Sequence, residues 1–173
     1  DKNIDLVHGD AVSINDKNDI IGYKKSLFIG SKQNILAGIV PIHPTVMARK
    51  TWFAKNRYDP EFLLIEDLEL WYRSIDSSNF YNINEPLIYY REISQNNSKK
   101  YLKSIPGRIR FSKKYKLSFC QSIKFSKINY LKFLYHLFFE KLGLKDFAVS
   151  YRSNSFEEGK NEVYKNVLAQ VKK

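Results

Sequence analysis

The chain has a single cysteine, Cys120, among 173 residues. This excludes an internal disulfide framework and fits a reducing compartment. Glycine and proline are sparse, at 7 and 5, which excludes collagen-like and low-complexity sequence. No apolar run reaches the roughly 18 residues that a membrane-spanning helix needs. His and Cys never fall at zinc-type spacing, and the phosphate-binding glycine loop, the dinucleotide fingerprint and the nucleophile elbow are all missing. No internal repeat is present. The most informative scarcity is local: residues 99–132 hold 11 Lys and Arg and no Asp or Glu.

That gap divides the chain. Residues 1–98 carry 11 basic and 13 acidic side chains, a net −2, whereas residues 99–173 carry 18 and 5, a net +13. A hydrophobic content of 43% permits a packed core. The length suits one domain, or a partial domain with an appendage. A boundary is therefore expected at 98/99, between an α/β part and a helical, basic tail. The chain opens on Asp1 rather than Met, as expected of a piece cut from a longer protein.

Alternating patterns predict strands at Ile4–Val7 and Ala11–Ile14, with His8-Gly9-Asp10 as the turn between them, and at Ile20–Tyr23. Ser31 is placed to cap a short helix that ends at Gly38. Thr45–Ala48 reads as a strand and Arg49–Lys55 as a short helix. Phe80–Ile83 and Leu87–Glu92 read as two more strands, separated by a turn at Asn84-Glu85-Pro86. On the second, Leu87, Tyr89 and Arg91 share one face, and Ile88, Tyr90 and Glu92 the other. Strands alternating with short helices predict an α/β layer. After a polar break at Ser94–Lys100, helices are expected over Tyr101–Phe119, interrupted at Pro106-Gly107, then over Ser122–Leu142 and Phe156–Lys173. The longest carries a narrow polar stripe, Lys124, Lys127, Lys132, His136 and Glu140, on an otherwise apolar surface. The last should turn Val163, Val167, Leu168 and Val171 inward.

The stretch Tyr58–Arg73 (YDPEFLLIEDLELWYR) sits at the centre of this pattern. Leu68, Trp71, Tyr72 and Ile75 recur at helical spacing, so a helix is expected from Glu66 to Ile75. Glu66 and Asp67 then fall in its first turn, facing the positive end of the helix dipole. Acids in that position often do no more than cap a helix. At the rim of a cleft, an ionised carboxylate there can also act as a general base. Trp71 fits either a core aromatic or a platform for a sugar ring. Arg91, at a strand end beside Tyr90, fits either a diphosphate contact or a bridge to Asp67 or Glu66. His43 fits a structural hydrogen bond or the border of a site.

Four segments in order carry a resemblance: His43–Met47 (HPTVM), Tyr58–Phe62 (YDPEF), Glu66–Trp71 (EDLELW) and Glu85–Arg91 (EPLIYYR). Together they resemble the C-terminal half of bacterial family 2 glycosyltransferases, inverting enzymes with a GT-A fold. Ile4–Gly22 is similar to the mid-domain strand pair of that family. The resemblance spans residues 1–98. It implies the acceptor-side part of a GT-A, Rossmann-like mixed sheet, with Asp67 as general base and Glu66 orienting a neighbour or the acceptor. It implies substrate contacts from His43, Trp71, Tyr90 and Arg91.

The implied reaction moves a sugar from a nucleotide-sugar donor to a hydroxyl of a glycan or lipid-linked acceptor, in surface polysaccharide synthesis. The family carries a base-binding Asp and a DxD motif for Mg2+ or Mn2+ in an N-terminal half that this chain lacks. The 173 residues alone are therefore expected to bind nucleotide-sugar weakly and to be inactive. They are also expected to expose an unpaired sheet edge suited to self-association. The family often has a metal-ligating His two residues after the arginine; here that position is Ile93, so no metal ligand is assigned.

Lysines and arginines interleaved with Tyr101, Phe111, Tyr115, Phe119, Phe125 and Tyr130 suit the anionic inner face of a membrane. Nucleic acid is the rival partner for such a stripe, but no nucleic-acid-binding motif accompanies it. A solvated basic face is the third reading. A non-catalytic binding module, in which Asp67 only caps a helix, is the alternative to the enzyme.

Overall fold

The computed structural model describes residues 3–92, 97–150 and 160–171. Four strands, β1 (Leu6–Ile14), β2 (Ile20–Lys24), β3 (Met47–Ala48) and β4 (Phe80–Arg91), form a mixed sheet. β1 is its axis. One edge of β1 pairs in parallel with β4 from Leu6 to Ile14. The other edge is shared antiparallel, by β3 at Leu6 and Val7 and by β2 from Ala11 onward. Among the described residues, β4 pairs with no other strand, so its outer edge is open.

Two expected turns are instead parts of continuous strands. β1 runs through His8-Gly9-Asp10 with all three residues buried. Opposite them, β4 runs through Asn84-Glu85-Pro86 as a bulge, where the pairing advances from Gly9–Ile83 to Asp10–Pro86 and then Ala11–Ile88. Pro86 donates nothing to the ladder, and an interrupted stretch of an edge strand tolerates that. Gly9 is required at this point. A Cβ there would stand 2.8 Å from Leu87 Cδ1 and 2.9 Å from the Glu85 carbonyl.

The polar residues that read as a turn find tertiary partners, although His8 Nε2 is buried without one. His8 Nδ1 lies 2.7 Å from Ser26 Oγ, and the Asp10 carboxylate accepts the Ser26 N–H and the Tyr23 hydroxyl. Burial pushes the His8 pKa below its ordinary value, against the opposing charge of Asp10.

The helices begin and end where local chemistry directs. Ser31 caps α1 (Lys32–Leu36), which closes before Gly38 at φ 87°. α2 (Lys50–Lys55) and α3 (Glu66–Ser74) follow, with a 3-10 turn at Ile75–Ser77 finishing the second. Then come α4 (Asn97–Lys103), α5 (Ile105–Lys114), α6 (Phe119–Lys141), α7 (Lys145–Ser150) and α8 (Lys160–Val171). The break expected at Pro106-Gly107 lies two residues earlier, at Ser104. Pro106 sits in the first turn of α5, where its missing N–H costs nothing. Ser118 and Gln121 form a capping box at the start of α6.

The charge boundary at 98/99 is not a gap in packing. Phe111 of α5 and Phe125 of α6 belong to the same core as Leu6, Ile35, Phe62, Leu70 and Trp71. Phe111 packs edge-on to Phe62 and Tyr72. Beside it, the Glu69 side chain is fully buried and ion-paired to Arg73 at 3.2 Å and Lys114 at 3.0 Å. The Tyr115 hydroxyl donates to the same carboxylate. Burial opposes ionisation of Glu69, but hydrogen bonds from Tyr115, Lys114 and Arg73 outweigh it and hold its pKa below the ordinary value. Lys114 also reaches Asp59 at 2.8 Å.

The polar stripe of α6 is split in direction. Asn129 donates to the Tyr101 carbonyl at 2.9 Å, His136 is buried against the Tyr101 ring, and Glu140 accepts from Ser98. Phe119, Ile123, Ile128, Tyr130, Leu131, Leu134 and Phe138 are exposed, along with Lys124, Lys127 and Lys132. α6 thus turns much of its polarity inward, because α4 offers hydrogen-bonding partners there. In α8, Val163 and Val167 are exposed rather than inward. Leu168 and Val171 have side chains outside the described residues, as does all of Ile93. Among the described residues no helix is long and apolar enough to cross a membrane.

Replacing Glu69 with Gln should lower unfolding free energy by about 2–3 kcal/mol at neutral pH, since charge-assisted bonds of a buried carboxylate are lost. The folded pKa of Glu69 lies below its unfolded value of 4.5. Its contribution is therefore full above that value and disappears as pH falls through the folded pKa. Urea melts of wild type and Glu69→Gln at neutral and acid pH should converge on acidification.

Candidate functional site

The first turn of α3 opens onto a cleft of about 760 Å³. One wall comes from the α/β part: Lys24 and Lys25 at the end of β2, the Gly38–Pro44 loop, Asp67 and Tyr90. The other comes from the basic helices: Tyr101 of α4 with Lys132, Tyr135 and His136 of α6. The tail is half of the cleft.

Three of the residues singled out in the sequence meet here: Asp67, His43 and Tyr90. Asp67 is half-buried. Its Oδ1 accepts the Leu68 N–H at 2.7 Å, one of the free donors of the first helical turn. The N-cap position itself is Ile65, which makes no side-chain cap. No ion pair to Asp67 forms among the described residues. His43 begins a 3-10 turn (His43–Thr45), and its Nε2 lies 2.7 Å from the Tyr58 hydroxyl. Burial, together with the charges of Asp67 and Glu66, pushes the Tyr58 pKa up, which keeps that hydroxyl protonated. Asp67, Tyr58 and His43 thus form one electrostatic neighbourhood.

Glu66 is half-buried beside the cleft, and its Oε2 has no hydrogen-bond partner. Trp71 does not reach the cleft. It is 0% exposed, stacked on Trp52 and edge-on to Phe80 and His43. With both ring faces packed it is a core aromatic and offers no platform to a sugar. Arg91 is also elsewhere. Tyr90 pairs with Ser13 and Arg91 with Ile14, so their side chains leave opposite faces of the sheet. The Arg91 guanidinium donates to the Asn15 carbonyl and to Asn18 in the β1–β2 turn. It braces that turn and bridges to neither Asp67 nor Glu66.

Several cleft residues escaped sequence reasoning. Tyr58, which reaches the cleft only through its hydrogen bond to His43, was visible only as part of a motif. Tyr101, Lys132, Tyr135 and His136 come from helices whose packing no local pattern announces. Arg108 of α5 lies outside the cleft lining, 4.4 Å over the Phe125 ring, and donates to the Phe125 carbonyl. Burial pushes its pKa down to about 10, with the charges of Tyr101 and Asp67 opposing that shift. Next to it, Gly107 lets α5 approach the loop that precedes α3. A Cβ at Gly107 would stand 3.2 Å from Ile65 Cγ1.

Among the described residues no three His, Cys, Asp or Glu side chains gather to hold a metal ion. The described residues thus present no ligand set for the Mg2+ or Mn2+ that the resemblance implies. The chain matches no protein-family model, no curated protein and no solved structure.

Trp71→Ala should behave as a core truncation, lowering stability by about 3–5 kcal/mol. A denaturant titration measures that loss directly, and a role confined to ligand binding would leave the midpoint unchanged.

Proposed function

We propose that this chain is the acceptor-side part of an inverting glycosyltransferase, with Asp67 as the general base. The observation that carries the reading is the position of the Asp67 carboxylate. It stands at a helix start, half-exposed, on the wall of a cleft large enough for a sugar and its acceptor. The resemblance of the segments around His43, Asp67 and Tyr90 supports the same reading, because these three residues meet in that cleft.

In the proposed reaction Asp67 accepts the proton of the acceptor hydroxyl as that oxygen bonds to the anomeric carbon. The bond from that carbon to the nucleoside diphosphate breaks on the opposite face. The leaving group takes the electron pair and the configuration inverts. Leu68 N–H holds one oxygen of Asp67, which leaves the other to face the hydroxyl. The Tyr58 hydroxyl, kept protonated and held by His43, supplies a neutral donor nearby. Tyr90 and Tyr101 supply aromatic surface for a sugar. The nucleotide-sugar and the Mg2+ or Mn2+ belong to residues outside this chain, and the acceptor belongs here.

The protein works at the cytoplasmic face of a membrane as a peripheral enzyme. Support comes from α6, where Phe119, Ile123, Tyr130, Leu134 and Phe138 are exposed among lysines. An apolar stripe flanked only by positive charge fits the interface of an anionic bilayer. Self-association through the same stripe would bring like charges together, and the open edge of β4 is the better surface for a second copy.

In the full-length enzyme, Asp67→Asn should lower kcat by roughly 10²–10⁴-fold, the usual loss for a general base, with an unchanged melting temperature. Wild-type turnover in that variant would end the assignment. Vesicle flotation tests the membrane reading. Binding should require anionic lipid, fall with salt, and drop about tenfold in Leu134→Asp, which removes one buried apolar side chain from the interface.

A further inference from the structure

The elbow between α5 and α6 holds a pocket of about 350 Å³ that shares no residue with the cleft. α5 lines it with Ile109, Ser112 and Lys113, which recur at helical spacing on one face. The connector adds Lys116 and Leu117, and α6 adds Ser122 and Ser126, one turn apart. Every polar side chain of the lining ends in a hydroxyl or an ammonium. No acid lines the pocket, and none occurs in the sequence between residues 99 and 132.

The fold does not use up these groups. The Ser112 hydroxyl is buried and has no hydrogen-bond partner, an arrangement that costs free energy unless something enters to bond with it. Lys113 and Lys116 are exposed and, among the described residues, make no ion pair. Lys114, between them in sequence, turns instead to Asp59 and Glu69.

Lys116 also stands where its side chain has a cost. Its φ is 47°, in the left-handed region, at the residue after the C-cap of α5. The Lys116 N–H donates to the Lys113 carbonyl at 3.2 Å, and the Leu117 N–H to the Ser112 carbonyl at 3.0 Å. Glycine is the residue that suits this helix ending. A lysine there gives up backbone stability and puts a cation at the pocket.

We propose that this pocket binds a phosphomonoester. Near neutral pH such a group carries close to two negative charges and three strong acceptor oxygens. Two ammonium groups balance that charge, and hydroxyls from two helices meet the oxygens. A carboxylate has one charge and two oxygens, and would leave part of the donor set unpaired. Ile109 and Leu117 give the carbon side of the ester an apolar seat. The ester can come from a soluble compound or from a lipid headgroup. Phe119 and Ile123, both exposed, stand within three residues of Ser122, where they could meet the acyl chains of a lipid. The site depends on neither Asp67 nor sugar transfer.

The test is calorimetric titration of the protein with glycerol 3-phosphate, beside dimethyl phosphate and acetate at equal ionic strength. Glycerol 3-phosphate should bind at least about tenfold tighter than either, the factor expected from one more charge-assisted hydrogen bond. Ser112→Ala and Lys116→Gly should each weaken it by about that factor. Lys116→Gly should do so while keeping or raising the melting temperature, because the left-handed position then carries no Cβ. Lys103→Gln, which removes an exposed charge outside the pocket, should leave the affinity unchanged. Glycerol 3-phosphate binding no tighter than acetate or dimethyl phosphate would overturn the proposal. So would wild-type affinity in Lys116→Gly, or equal losses in Lys116→Gly and Lys103→Gln, which mark charge attraction without a site. Vesicles then identify the source. If lipid supplies the ester, phosphatidylcholine vesicles doped with phosphatidic acid should bind more tightly than those doped with phosphatidylglycerol at equal surface charge. Equal binding of the two, beside tight binding of glycerol 3-phosphate, assigns the pocket to a soluble phosphate ester.

Discussion

A single buried carboxylate holds the two halves of this molecule in register. Glu69 lies on α3, two residues after Asp67, and is completely sequestered. An anion in that position is tolerable only with partners, and two of the three come from the C-terminal end of α5, as Lys114 and the capping Tyr115. The acid-rich sheet portion and the basic helices are thus joined by complementary charge at one point and by Phe111 and Phe125 around it. Part of the positive charge that looks like a free tail in the sequence is spent inside the fold. Because Glu69 and Asp67 share a helix, the same contact that docks the helices also sets the distance across the cleft.

Local signals were legible and non-local ones were not. Ser31, Gly38 and the first turn at Glu66 act through bonds within a few residues, and each falls where the chain pattern places it. The turns at His8-Gly9-Asp10 and Asn84-Glu85-Pro86 have turn-like composition, yet they lie inside strands. Two partners from elsewhere override local preference there: Ser26, which bonds to His8 Nδ1 and Asp10, and the facing bulge that needs a glycine. Composition showed α6 to be mostly apolar. It could not show which side would face α4, since that depends on Tyr101 and Ser104 accepting and donating to Asn129.

The candidate site divides along the same line. Asp67, His43 and Tyr90 stand in recognisable segments and do converge. Trp71 has the right spacing for a rim residue, but helical spacing equally describes the inward stripe, and three aromatic neighbours take it into the core. Arg91 was misplaced because its direction depends on the bulge upstream. The helical wall, Tyr101 with Tyr135 and His136, is invisible to any short motif, since it exists only after Glu69 and Lys114 have met.

The bulge in β4 has an effect on everything downstream of it. Between Ile83 and Ile88 the strand advances three residues more than β1 does. Three is odd, so the alternation of the pleat is inverted. Asn82 shares the side of the sheet with His8, whereas Tyr90 shares the side with Ser13. A one-residue slip of Ile88–Arg91 against β1 would exchange the destinations of Tyr90 and Arg91. An aromatic wall would become a cationic one, so the irregular stretch of β4 acts as the selector of what the cleft displays.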